Sequence, residues 1–129
     1  MTSTIKTLIL ALLISFSFLA VSKVANADER LFTCKFPYFS SSDLKIEKSE
    51  NFVLRFVLKD DGTASIIGNS GAAPVMPFED GEKINFIEMT ASGNMMLTTI
   101  DASGTAVHSR HTVIGTLVPS QYYGTCLFQ

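Results

Sequence analysis

Turn-forming residues recur about every ten positions through the second half of the chain: Asp60-Asp61-Gly62, Asp80-Gly81, Ser92-Gly93-Asn94 and Ser103-Gly104. Asp, Asn and Gly are the residues that tight turns demand. Between them lie short runs rich in β-branched, aromatic and other apolar residues. Short strands at such even spacing argue for an all-β sandwich or barrel. The expected strands are roughly 31–38, 52–59, 63–68, 73–78, 83–90, 95–101, 105–114 and 121–128. Segment 40–50, SSSDLKIEKSE, has the composition of a helical turn starting near Asp43, since Ser and Asp favour helix caps.

The first 27 residues read as an export signal and not as part of this fold. Lys6 supplies a positive start, Leu8 to Val21 carries no charge, and Ala25-Asn26-Ala27 offers small residues at a cleavage site. The apolar run is shorter than the ~20 residues a spanning helix needs. Cleavage after Ala27 would remove 27 of 129 residues and leave 102, residues 28–129, as a single β-barrel domain. Lys6 and Lys23 leave with the signal, so 10 basic residues become 8 against 12 acidic, and the net charge moves from −2 to −4. A net-acidic domain has no electrostatic footprint for nucleic acid. The expected location is periplasmic or secreted, with no stable membrane insertion after cleavage.

Cys34 and Cys126 are the two cysteines, 92 positions apart. An even count in an exported chain favours a disulfide. Period-2 alternation places Phe32, Cys34, Phe36 and Tyr38 on one face of the first strand, and Tyr122, Gly124, Cys126 and Phe128 on one face of the last. Both cysteines thus fall among aromatics on an inner face. Eight strands in an up-and-down meander set the first beside the last, which removes both sheet edges. A Cys34–Cys126 bond would staple that seam. Strands 83–90 and 95–101 alternate poorly, with Glu88 in phase with Ile84 and Phe86, so a bulge is expected there.

In size, export and strand count the chain resembles the small exported barrels of the lipocalin–avidin type and the periplasmic lysozyme inhibitors. The likeness is one of architecture only and carries no residue across. It implies a barrel whose interior is either filled by side chains or wide enough for one small ligand. A membrane barrel fits less well, because Arg55, Lys59 and Arg110 are expected to face outward.

His108-Ser109-Arg110-His111 is the densest chemical cluster. Residues three apart on a strand point to opposite faces, so the two histidines do not share a metal, and no metal or cofactor is expected. Ser109 and His111 do share a face, but no nucleophile turn or oxyanion motif surrounds them, so a hydrolase built on them is the least favoured reading. Alternation with Val107, Val113 and Leu117 points His111 inward and His108 outward. Met76, Met89, Met95 and Met96 read as core filler. Of Gln121, Tyr122 and Tyr123, alternation sends one ring in and the other, Tyr123, outward as a partner anchor.

The two ends of such a barrel differ. Connections 40–50, 69–72, 91–94 and 115–120 fall at one end, which is the first expected place for a ligand or partner, with Tyr122, Tyr123, Gln121 and His111 as candidates. Connections 60–62, 79–82 and 102–104 fall at the other, gathering Asp60, Asp61, Glu79, Asp80, Glu82 and Asp101. That acidic end is the second candidate, against the plainer reading that tight turns simply need these residues. The function expected is a non-catalytic binding module for a small molecule or a protein partner. An envelope structural or stress-related protein is the alternative.

Overall fold

The computed structural model describes residues 28–129, and the expected signal segment lies outside them. The described residues form nine antiparallel strands: β1 Glu29–Ser41, β2 Ile46–Lys48, β3 Val53–Lys59, β4 Ala64–Gly68, β5 Gly71–Glu79, β6 Lys83–Met89, β7 Met95–Asp101, β8 Thr105–Ile114 and β9 Thr116–Phe128. Eight of them run in sequence order around a barrel that closes where β1 pairs with β9. The short β2 is added on the upper part of β1, with Ser40 opposite Ile46. Segment 40–50 is therefore a turn and a strand, not a helical turn. The Asp43 carboxylate accepts from the Ser41 hydroxyl and the Lys45 amide, which closes a turn where a helix cap was expected.

Alternation sorts the core as the seam argument requires. Cys34 lies opposite Cys126 in the β1–β9 register and the two form the disulfide. Phe32, Phe36, Leu54, Phe56, Ile66, Phe86 and Ile100 fill the interior with them. Phe56 stacks on Phe86 at 4.4 Å between centroids, Phe32 meets the edge of Phe86 at 5.5 Å, and Phe128 meets Phe32 at 5.4 Å. One band of rings thus plugs the barrel at mid-height. Arg55 and Lys59 face solvent.

The register departs from expectation in two places. The β6–β7 pairing runs unbroken from Lys83–Asp101 to Met89–Met95, so Glu88 is in truth an inward residue. The irregularity lies in β1, between Lys35 and Tyr38. There Pro37 has no N–H to give a ladder, which is why prolines in strands mark bulges and edges. Beyond the shift Phe39, not Tyr38, pairs with the inward Tyr122, and Tyr38 turns out to solvent. Gly124 is required at this place: a Cβ on it would collide with the Lys35 carbonyl of the bulged strand. The second difference is the length of β9. Residues 116–120 continue the strand, so the β8–β9 hairpin turns at Gly115 alone (φ 71°) and stands above the barrel wall.

Candidate functional site

The three acidic connections do lie at one end, and that end holds an open cavity. Arg30 at the start of β1 and Glu79 at the end of β5 are both in phase with inward residues, Phe32 and Ile84. They meet across the mouth in a two-pronged ion pair, Nη1 to Oε1 at 2.6 Å and Nη2 to Oε2 at 2.7 Å. The pair is about half exposed on each side, where such pairs contribute roughly 0.2–1 kcal/mol. Its effect is on shape: a bar across the mouth. On one side is a cavity of about 340 Å³ floored by Phe32, Ile84, Ile100 and Phe128 and flanked by Lys83 and Ala102. On the other a second cavity of about 340 Å³ lies among Leu58, Lys59, Asp60, Gly62 and Pro77.

The carboxylates around this mouth are mostly engaged locally. The Thr63 hydroxyl and amide hold Asp61 below the usual carboxylate range, Lys83 does the same for Asp80, and the Ser103 hydroxyl for Asp101. Each accepts from residues two to four positions on, the pattern of turn-closing carboxylates. Glu79 is drawn down by its bonds from Arg30. Glu79, Glu82 and Asp101 border the cavity floored by Phe32 and Ile84, and Glu79 and Asp60 border the other.

At the opposite end the two histidines have exchanged the expected sides. His108 is 2% exposed, on the inner wall, and His111 is exposed on the outer one. The cause is that the outer face of β8 carries Val107 and Val113 while its inner face carries Ala106, His108 and Arg110. Apolar alternation therefore tracked the wrong face. Arg110 likewise faces in, not out. His108 shares a 2.7 Å hydrogen bond between Nδ1 and the Thr98 hydroxyl, itself buried. Around it stand Phe36 at 5.9 Å, Phe52 at 5.6 Å and Tyr122 at 5.9 Å. Tyr122 also packs on Phe52 at 4.4 Å and stacks with Phe39 at 5.5 Å. Burial, with a smaller push from Arg110, lowers the His108 pKa to about 4, so the ring is neutral at pH 7.

That shift has a sign. The folded pKa lies below the ordinary 6.5, so the unfolded chain binds the proton more readily between the two values. The stability contributed by neutral His108 is full above pH 6.5 and is lost as pH falls toward 4, about 3 kcal/mol in all. The melting midpoint of the wild type is expected to fall across that window. His108→Gln keeps a hydrogen-bonding side chain beside Thr98 but cannot titrate, and its pH profile should be flatter. Parallel profiles for the two proteins would remove His108 as the cause.

The remaining sequence candidates lie on the outer wall. The Tyr123 hydroxyl donates to Gln121 Oε1 at 3.0 Å and lies 3.2 Å from the Ser40 hydroxyl. Gln121 Nε2 donates to the Ser109 hydroxyl at 3.3 Å. Among the described residues no hydrogen bond joins Ser109 to His111. Tyr122 is thus separated from Tyr123, Gln121 and His111 by the barrel wall. The methionines also depart from the core-filler reading: Met76, Met89 and Met95 face out and are exposed, and only Met96 points in, half-buried. Two features of the structure lie outside what the sequence reading offers. The Arg30–Glu79 bar joins residues 49 positions apart, with no local signal. Arg110 faces inward because it lies in phase with the buried Ala106 and His108, on the face opposite Val107 and Val113.

Comparison with protein-family models, with curated proteins and with solved structures finds no match.

Proposed function

We propose that this chain is an exported, non-catalytic binding module whose barrel takes up a small, mainly apolar molecule at the acidic end. The observation that carries the reading is the apolar-floored cavity beside the Arg30–Glu79 bar. Its volume of about 340 Å³ lies within the ~300–1,000 Å³ range of small-molecule sites, and its apolar floor with a few convergent polar groups is the usual make-up of such sites. At its rim Arg30 pairs with Glu79 and Lys83 with Asp80, while Glu82 and Asp101 stand at the edge of an apolar floor. A disulfide-stapled barrel is compatible with an oxidising compartment.

The test uses a neutral fluorophore, N-phenylnaphthylamine, whose emission rises in apolar surroundings. It is expected to bind the purified protein saturably. Ala102→Trp, at an exposed rim position, should weaken that binding tenfold or more without moving the melting midpoint. Equal binding by wild type and variant, or no binding to either, would count against the reading. A protein partner is the second reading. It is favoured by the tip of the β8–β9 hairpin, where Val113, Ile114 and Leu117 are 61%, 76% and 63% exposed. Absence of dye binding would leave that reading in place.

A further inference from the structure

Arg110 stands one inward row above the aromatic layer, opposite Met96 on β7 and Ser120 on β9. Its Nη1 donates a long 3.4 Å bond to the Tyr122 hydroxyl, and its Cζ lies 5.9 Å from the centre of that ring. Its Nε is enclosed by protein and has no acceptor. The ion pairs among the described residues are Arg30–Glu79 and Lys83–Asp80, both at the other end. No described carboxylate lies within 4.0 Å of Arg110, and the nearest inward one in its row, Glu88, stands two strands away across Met96. A guanidinium stays charged at every accessible pH, and an enclosed donor without an acceptor calls for an explanation.

The side chains above Arg110 bear on what the acceptor is. β8 and β9 run past the barrel for two more inward rows, Thr112 opposite Val118 and Ile114 opposite Thr116. Each row rises ~7 Å, two residues of strand. Ile114 is 76% and Val118 41% exposed, so a cation with free N–H groups is followed along one face by bare apolar side chains. His108 directly below is neutral and adds no second positive charge. One planar fork with one charge matches a monoanionic carboxylate better than a doubly charged phosphate.

We propose that this inner face binds a small organic carboxylate with an apolar body. The carboxylate accepts from the guanidinium Nη groups, because Nε is closed off by protein, with the Ser120 and Tyr122 hydroxyls beside it. The hydrocarbon lies up the hairpin along Val118 and Ile114. This site is separate from the cavity at the acidic end and stands or falls independently of it.

Sodium octanoate, its neutral analogue octanol, and inorganic phosphate are titrated into the purified, disulfide-bonded protein and followed by NMR. Octanoate is expected to bind saturably and to shift Ser120, Tyr122 and Val118, with octanol and phosphate each at least tenfold weaker. Arg110→Met, of similar volume, should weaken octanoate at least tenfold and leave the melting midpoint equal or higher, since it removes an unpartnered charge. Val118→Asp, at an exposed position, sets a like charge in the path of the tail and should also weaken binding. Ala102→Trp should leave octanoate binding unchanged. The proposal is overturned if octanoate does not bind, if Arg110→Met binds it as well as wild type, or if Ala102→Trp abolishes it. Phosphate binding as tightly as octanoate overturns it too. So does a large loss of stability in Arg110→Met, because that would mean the guanidinium serves the fold.

Discussion

Replacing both Cys34 and Cys126 by alanine is expected to lower stability by about 4 kcal/mol. The bond closes 92 positions of chain, for which the loop-entropy relation gives ~4.5 kcal/mol as an upper value. For a domain of this length that corresponds to a fall in melting midpoint on the order of 20 °C. The position of the bond adds to the effect of its length. It crosses the β1–β9 seam, the one pairing that turns an open sheet into a barrel, and the bulge at Lys35–Tyr38 interrupts the ladder just above it. Below the bond the seam continues through Thr33–Leu127 and Phe32–Phe128 to the reciprocal backbone bonds of Leu31 and Gln129. Without the bond, β9 keeps its β8 partner but the seam can fray. Urea unfolding of wild type and double variant measures the difference, and Ellman titration of the denatured wild type should find no free thiol. Two reactive thiols, or a midpoint moved by only a few degrees, would contradict the account.

What was legible in the sequence was whatever local chemistry decides. Asp60-Asp61-Gly62 or Ser103-Gly104 forms a turn on its own account, so strand spacing, strand count and the sorting of hairpins to two ends could be read directly. The cysteines could be paired because each lies in phase with large aromatics. The failures come where a face is set by the rest of the barrel. β8 shows apolar Val107 and Val113 to the outside and His108 and Arg110 to the inside, so hydrophobicity there points the wrong way. His108 is tolerated inside because the Thr98 hydroxyl bonds it and aromatic rings wall it in. Pro37 was a visible signal of the bulge in β1. Pro119 encouraged a loop at 115–120, yet β9 passes through it, just beyond Ser120, the last residue of β9 to pair with β1. A proline is accommodated at such a free edge. Contacts such as Arg30–Glu79 depend on barrel closure and leave no trace in local pattern.

Phe56→Ala is expected to cost ~3–5 kcal/mol, the range for a fully buried aromatic ring. Phe56 is 0% exposed and lies nearly parallel to Phe86, at 9° between planes. Phe86 in turn supports Phe32, and Phe32 supports Phe128. A closed barrel cannot collapse onto a void as a pair of sheets can, because each strand is held by hydrogen bonds on both sides. The hole left by Phe56 should therefore persist and the cost lie toward the upper part of that range. Phe128→Ala is the control. Its ring belongs to the same chain of contacts but is 53% exposed at the mouth, so its removal opens no enclosed space and its transfer loss is partial. A loss well below that of Phe56→Ala is expected. The two variants are compared by urea unfolding at pH 7, where His108 is neutral in both. Equal losses would show that the ring band does not plug the barrel at mid-height, and an unchanged midpoint for Phe56→Ala would mean that β3 faces the other way.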